Sequence, residues 1–107
     1  MIRQLAISDF LSIQQKISTV QVWDVRDPQS FAEGHIAGAQ NQPIEQLNMA
    51  ILANIPKEEP IYVLCGGGTK AGRAIALLES LDSTRDYVEL KGGTRGARTA
   101  GFLIVVD

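Results

Sequence analysis

The residue best suited to chemistry is Cys65, the one cysteine in a chain of 107 residues. Three glycines follow it directly, and glycine allows successive backbone N–H groups to point inward around an anion. A helix is predicted to begin after these glycines, so that its positive end faces the same place. Such surroundings favour the thiolate, and Cys65 is therefore the candidate catalytic nucleophile.

The candidate substrate-binding residues lie in the same loop and in the first turn of the helix that follows. Backbone N–H groups of the loop would hold an anion, and Lys70 and Arg73 would add positive charge. The full set is Gly66, Gly67, Gly68, Thr69, Lys70, Ala71 and Arg73. The competing interpretation is an inert, buried thiol, because free cysteine is among the most often buried residue types.

Other uses of a glycine-rich cysteine loop fit this sequence less well. A nucleotide-binding P-loop is excluded, since Arg73 and Ala74 stand where Lys and Ser or Thr are required. A cysteine-dependent phosphatase would need an arginine six positions after Cys65, where this chain has Ala71. Without a second cysteine there is no Cys-x-x-Cys redox site and no thiolate metal cluster. We therefore expect no metal and no cofactor.

The bulk composition predicts one globular domain over residues 1–107, because the chain is too short for two useful cores. A net charge of -2 gives no basic surface and argues against nucleic acid as the main partner. Apolar runs are too short to span a membrane, and the first residues lack the apolar stretch of a signal peptide. With its lone thiol, the chain is expected to be cytoplasmic. The residues give no indication of an oligomeric state.

The hydrophobic pattern alternates strands with helices. Strands are predicted at residues 19–25, 61–64 and 87–90, and helices at 28–32, 43–52 and 71–81, with a last short helix after a turn at 92–93. Asp27 is the predicted N-cap of the helix at 28–32, and Gly34 is predicted to end it. The helix at 71–81 has an apolar stripe that is predicted to face the core, formed by Ala71, Ala74, Ile75, Leu78 and Leu81, and Trp23 is predicted to lie in the core. Near the start, Ser8 is a candidate cap for a helix to about residue 15. This alternation predicts a parallel sheet with helices on both faces, in which sites form at the carboxyl ends of strands. Cys65 stands at such an end.

Two segments of the chain resemble the motifs of one family. Residues 24–43 resemble the rhodanese signature D-V-R-x-x-x-x-F-x-x-G-H-I-x-G-A-x-N-x-P, and residues 65–70 are similar to the six-residue active-site loop of rhodaneses. The segments L-x-G-G at 90–93 and A-G at 100–101 are similar to the closing motifs of that family. The resemblance covers residues 5–103, which is nearly the whole chain.

This resemblance implies a fold of about five parallel strands and a sulfur-transfer reaction. The Cys65 thiolate would take sulfur from thiosulfate or a similar small anionic donor, and the resulting persulfide would pass it to cyanide, a small thiol or a protein thiol. Mercaptopyruvate is a further possible donor, because the loop begins Cys-Gly-x-Gly. Two alternatives remain open: a sulfur carrier dedicated to one protein partner, and a regulatory binding module without turnover.

Several residues depart from the family pattern or have roles that the pattern leaves open. Lys70 stands where arginine or threonine is frequent, Ala97 replaces the usual tryptophan and Leu103 replaces a proline, which bears on substrate preference. A structural role is expected for the lone His35 and for an ion pair between Asp24 and Arg26. Arg95 and Arg98 could contact a donor or form a solvated face.

Overall fold

The computed structural model describes residues 1–10 and 20–107. The strands are β1 (Ile2–Ala6), β2 (Gln21–Asp24), β3 (His35–Ile36), β4 (Gln40–Asn41), β5 (Ile61–Leu64), β6 (Tyr87–Lys91) and β7 (Ile104–Val105). The helices are α1 (Ile7–Phe10), α2 (Pro28–Glu33), α3 (Met49–Ala53), α4 (Lys70–Leu81) and α5 (Gly93–Ala100), with a 3-10 helix at Ile44–Gln46. Five strands form a parallel sheet in the order β1-β6-β5-β2-β4, while β3 and β7 pair antiparallel beside it. The predicted α/β fold with a five-stranded parallel sheet is confirmed.

Helices cover both faces of the parallel sheet, as predicted. Along the central strand β5, Ile61 and Val63 pack in one hydrophobic cluster, whereas Leu64 packs in the other. This alternation follows from the period of two in a strand. The first cluster includes residues of α3 and α4, and the second includes residues of α1 and α5. Trp23 is fully buried in the first cluster, in agreement with its predicted place in the core.

Helix α4 begins where the cysteine loop ends, and its packing positions that end of the loop. Its predicted apolar stripe is confirmed: Ala71, Ala74, Ile75 and Leu78 are buried against the sheet, and Leu81 at the end of the helix is partly buried against the same cluster. Burying a side chain the size of isoleucine or leucine stabilises the fold by roughly 1.5–3 kcal/mol. The stripe therefore fixes the rotation of α4 and with it the side of the sheet on which Lys70 begins the helix.

Helix α2 begins and ends where the sequence indicates. The Asp27 carboxylate accepts a hydrogen bond from the backbone N–H of Ser30 at 2.8 Å, and Pro28 occupies the first helical position. Both are preferred features of a helix N-terminus. At the other end the N–H of Gly34 donates to the carbonyl of Phe31.

Two predicted elements differ in the structure. The single helix expected at 43–52 is wrong: a 3-10 turn is followed by extended backbone at Leu47 and Asn48, and α3 begins only then. The Asn48 side chain accepts from the N–H of Ile51, and this cap starts a new helix in place of a continuous one.

At the amino-terminal end, Ser8 lies inside α1 and does not cap it, since the helix begins at Ile7. The remainder of that predicted helix, and Thr19 of the strand predicted at 19–25, lie outside the described residues. Strand β1 was not predicted. It lies at the edge of the sheet, pairs with β6 and is largely exposed, so it lacks the hydrophobic pattern of a buried strand.

None of the helices in the described part of the chain is long and apolar enough to cross a membrane.

Candidate active site

The register of the parallel sheet brings three chain segments together at its carboxyl edge. Asp24 of β2 pairs with Leu64 of β5, and Val63 of β5 pairs with Glu89 of β6. The residues that follow these strands therefore leave the sheet side by side. One of them is Cys65, which directly follows the central strand.

Cys65 is nearly buried, with 4% of its surface exposed, and belongs to the hydrophobic cluster that includes α4. Its Sγ contacts the carbonyl oxygen of Gly68 at 3.6 Å, as a thiol donor would. A neutral S–H group is a weak donor, whereas a thiolate or persulfide is an acceptor and would need N–H groups instead. The sequence predicted that backbone N–H groups of the loop surround the sulfur in its thiolate or persulfide form, and this stays a prediction.

The amino-terminal end of α5 supports the cysteine loop from behind. The backbone N–H groups of Thr94 and Arg95 donate to the carbonyl oxygens of Cys65 and Gly66, at 2.8 and 3.2 Å. The first N–H groups of a helix have no partner within the helix, so they are available for such contacts. Two carbonyl groups of the loop are thereby fixed, which constrains the backbone on either side of the thiol.

A cavity of about 300 Å³ opens over the thiol. Its wall combines the cysteine loop, the first turn of α4, the segment between β2 and α2 and the first turn of α2. The lining residues are Arg26, Asp27, Ser30, Cys65, Gly66, Gly68, Thr69, Lys70 and Arg73. The Thr69 side chain makes no capping hydrogen bond at the start of α4. The positive end of a twelve-residue helix and two cationic side chains thus adjoin this cavity, which favours an anionic ligand.

Arg26 reaches the cavity as one half of an ion pair. Its Nε and Nη2 donate to the two carboxylate oxygens of Asp24, at 2.9 and 2.8 Å, and Nη2 also donates to the carbonyl of Gly34 at 2.7 Å. Asp24 is fully buried. The expected structural role is consistent with this geometry, because a two-point pair holds the guanidinium in one orientation. Asn41 fixes the same segment by donating to the carbonyls of Asp24 and Arg26.

Asp27 brings a negative charge to the same cavity. The N–H and hydroxyl of Ser30 both donate to its carboxylate, at 2.8 and 3.2 Å. The backbone hydrogen bond from Ser30 holds the pKa of Asp27 below its usual value, and the positive charge of Lys70 acts in the same direction. Asp27 is therefore ionised at neutral pH.

The structure brings most of the predicted site residues together. Gly66, Gly68, Thr69, Lys70 and Arg73 line the cavity with Cys65. Gly67 and Ala71 do not; they border a separate space of about 70 Å³ on the side of β6, which Cys65 also touches. Three lining residues were missed: Arg26, Asp27 and Ser30. These residues follow β2, and a position just after a parallel strand was the available signal for a site residue. Using that signal required knowing that β2 lies beside β5, the strand before Cys65.

The other conspicuous polar side chains lie elsewhere. His35 stacks on the ring of Phe31 and its Nδ1 lies 2.8 Å from the Phe31 carbonyl oxygen, which fits the expected structural role. Arg98 packs on Gly34, and Arg95 packs beside Gly67, so neither lines the cavity over the thiol. Ala97, in place of the family's tryptophan, is fully buried in the second hydrophobic cluster.

Comparison with known proteins identifies the class to which this fold and site belong. The family model of the rhodanese-like domain matches residues 8–100. The chain therefore belongs to the rhodanese-like domain family. The thiosulfate sulfurtransferase PspE of Escherichia coli is 32% identical over 67% of this chain and 68% of that protein. The thiosulfate sulfurtransferase GlpE of Pseudomonas aeruginosa is 38% identical over 75% of this chain and 71% of that protein.

Other relatives extend the likeness in sequence and in structure. The uncharacterized protein YqhL of Bacillus subtilis is 40% identical over 68% of this chain, and the match spans just over half, 56%, of that protein's length. The rhodanese-like domain of the Alr3790 protein from Anabaena superposes with a TM-score of 0.81 at 27% identity, covering 100% of this chain and 81% of that one. A rhodanese-related protein from Thermoplasma volcanium gives a TM-score of 0.78 at 25% identity, with 98% and 99% covered.

Proposed function

We propose that this protein is a sulfurtransferase that moves sulfane sulfur from thiosulfate, or a similar anionic donor, through a persulfide on Cys65 to a thiophilic acceptor. The observation that carries the proposal is that Cys65 lines a cavity of about 300 Å³ together with Lys70 and Arg73. Family membership and the relatives named as thiosulfate sulfurtransferases support the same reaction.

The first half of the reaction transfers one sulfur atom to the protein. The Cys65 thiolate attacks the outer sulfur of thiosulfate, a new S–S bond forms, and the original S–S bond breaks with its electron pair leaving on sulfite. The positive end of α4, together with Lys70 and Arg73, stabilises the negative charge of donor and leaving group. Formation of the Cys65 persulfide needs no external oxidant, because the outer sulfur of thiosulfate is already at the oxidation level of sulfane sulfur.

The second half of the reaction returns the thiolate. An acceptor thiolate or cyanide attacks the outer sulfur of the persulfide, and the electron pair of the broken S–S bond stays on Cys65 Sγ. Because Cys65 is only 4% exposed, the acceptor is a small molecule or a protein thiol on a narrow, protruding segment. The overall scheme is ping-pong, with one covalent intermediate.

Intact-protein mass spectrometry tests this proposal directly. The wild-type protein and Cys65→Ser are first reduced and desalted, then incubated with thiosulfate and finally with cyanide. We expect the wild type to gain one sulfur atom and to lose it to cyanide, while Cys65→Ser gains none. An unmodified wild type would contradict thiosulfate as donor and would favour a carrier with a dedicated partner or a binding module.

Phosphate release from an added phosphate ester distinguishes the sulfurtransferase hypothesis from the alternative of a cysteine-dependent phosphatase. The arginine nearest to the required phosphatase position, Arg73, does line the cavity, although two residues later than that chemistry demands. We expect no phosphate release. Release that is lost in Cys65→Ser would replace the present proposal.

A further inference from the structure

The cavity over the thiol contains charges of both signs. Four of its lining residues are charged: Arg26, Asp27, Lys70 and Arg73. The charge of Arg26 is matched by the carboxylate of Asp24, which holds it through two short hydrogen bonds. The two cations of α4 and the carboxylate of Asp27 at the start of α2 remain to act on a ligand, although Lys70 also attracts Asp27.

Asp27 serves as the N-cap of α2, but its charge is not required for that role. Asparagine and serine cap a helix about as well as aspartate, because the cap is a hydrogen bond to a side-chain oxygen. A carboxylate here also opposes a dianionic donor such as thiosulfate. The same carboxylate is held in one place by Ser30, from which two groups donate to it, and it is ionised at neutral pH. A fixed negative charge within reach of a bound ligand selects for ligands that carry a positive group.

We propose that Asp27 is a specificity-determining residue which favours acceptor thiols that carry an ammonium group. This inference rests on the proposed function, because it concerns the second half of the sulfur transfer. In that step the acceptor thiolate attacks the outer sulfur of the Cys65 persulfide. A persulfide forms on the acceptor, the S–S bond to Cys65 breaks and its electron pair remains on Sγ. The ammonium group of the acceptor lies toward Asp27 while its sulfur faces Cys65.

The arrangement also explains why the cavity tolerates an acidic residue at all. Lys70 and Arg73 serve the anionic donor in the first half-reaction, and Asp27 serves the acceptor in the second. One cavity thereby favours two ligands of different charge in turn, since each occupies it only after the other has left. Removing the carboxylate is expected to improve binding of the donor and to impair binding of the ammonium thiol.

Single-turnover transfer to three matched thiols tests the inference. Asp27→Asn keeps the cap and removes the charge, and Glu33→Gln removes an equal charge from an exposed position of α2 that does not line the cavity. Each reduced protein is loaded with inorganic polysulfide: the Cys65 thiolate attacks the terminal sulfur of the polysulfide, the bond to the next sulfur breaks, and a polysulfide shortened by one atom leaves with the electron pair. After desalting, it is mixed with 2-aminoethanethiol, 2-mercaptoethanol or mercaptoacetate, and loss of sulfur is followed by mass spectrometry.

The ratio of variant to wild-type rate for each thiol cancels the intrinsic reactivity of that thiol. For Asp27→Asn we expect a roughly three- to tenfold lower rate with 2-aminoethanethiol, a similar increase with mercaptoacetate and a change within about twofold for 2-mercaptoethanol. Glu33→Gln is expected to match the wild type with all three. A single common factor for the three thiols overturns the inference, and so does the same pattern in Glu33→Gln.

The loading step separates this inference from the proposed function. If thiosulfate fails to load Cys65 but the polysulfide-loaded protein shows the expected charge pattern, the proposed donor is wrong and the role of Asp27 stands. If thiosulfate loads Cys65 and the charge pattern is absent, the sulfurtransferase stands and the role of Asp27 is wrong. If none of the three thiols takes sulfur from the loaded protein, the role of Asp27 is wrong, and the sulfurtransferase then depends on loading by thiosulfate and transfer to cyanide.

Discussion

Gly93 lies so close to the carbonyl oxygen of Cys65 that a Cβ atom at position 93 would overlap it, and would also lie 2.7 Å from the backbone nitrogen of Gly67. The backbone of Gly93 is left-handed, with φ +55°. The closing glycine pair of the chain is therefore part of the support for the cysteine loop, and not only a turn between β6 and α5. In this way the last helix, far from Cys65 in sequence, determines the conformation of the residues around the thiol.

Replacing Gly93 with alanine is expected to displace the cysteine loop. A left-handed alanine costs roughly 1–2 kcal/mol, and the overlap with the Cys65 carbonyl adds to that. We expect a lower melting temperature and persulfide formation slowed at least about tenfold, since small misplacements at a reacting centre have large effects on rate. Calorimetry and the mass-spectrometric assay measure the two effects.

Gly101→Ala is the matched control, because Gly101 also has a positive φ of 93° but no atom lies within 4 Å of its added Cβ. It should lose only the backbone contribution of roughly 1–2 kcal/mol and should form the persulfide at the wild-type rate. If Gly93→Ala formed the persulfide as fast as the wild type and Gly101→Ala, the close contact between Gly93 and the cysteine loop would not be needed for sulfur transfer.

The cations on α4 are expected to act on the donor without holding the fold together. Lys70→Ala and Arg73→Ala should each raise KM for thiosulfate roughly three- to tenfold, because each removes one charge near a dianion. The differences from wild type should shrink as the salt concentration rises. Lys57→Ala, an exposed lysine outside the cavity, is the control for overall charge. Unchanged kinetics in both cavity variants would mean that backbone groups alone handle the anion.

Breaking the buried ion pair should destabilise the protein. Asp24→Asn leaves the guanidinium of Arg26 without its carboxylate, and we expect a loss of about 2–3 kcal/mol in the free energy of unfolding. Urea denaturation measures it. Asp86→Asn removes an exposed ion pair with the amino terminus, at 3.5 Å, and should cost less than about 0.5 kcal/mol. Losses of the same size for the two variants would show that the Asp24 pair has no special structural role.

Tyr87 provides a prediction for alkaline pH. Its hydroxyl donates to the carbonyls of Leu78 and Asp82, and burial together with the Asp82 carboxylate raises the pKa of Tyr87 to about 12. Because the folded state holds this proton more tightly than the unfolded state, its contribution to stability is complete below pH 10, the ordinary pKa. That contribution is lost as pH rises from 10 to about 12.

Tyr87→Phe should lower stability by about 1–2 kcal/mol at neutral pH, since two carbonyls lose a donor. Over the alkaline range its urea midpoint should fall less steeply than that of the wild type. Tyr62→Phe leaves Tyr87 in place and should keep the wild-type slope. Parallel curves for the wild type and Tyr87→Phe would show that ionisation of Tyr87 is not coupled to folding.

Local patterns predicted those elements whose signals lie in neighbouring residues. The stripe from Ala71 to Leu78 and the cap at Asp27 are contained in one helix each, and both were confirmed. The single helix predicted at 43–52 was wrong because the Asn48 side chain caps a separate helix, α3, that begins at the next residue. Strand β1 was missed because an exposed edge strand has little hydrophobic pattern and is defined by its partner.

For the site, the sequence by itself determined which atom is the candidate nucleophile. A single cysteine after a buried strand, followed by three glycines and a helix, indicates Cys65 and the loop that follows it, since all of these features are adjacent in the chain. Only the tertiary structure decided the rest of the cavity: that Asp27 and Arg26 line it, that Ala71 does not, and that Gly93 supports the loop. The reason is physical, because these contacts depend on the register of strands and the packing of helices that are distant in sequence.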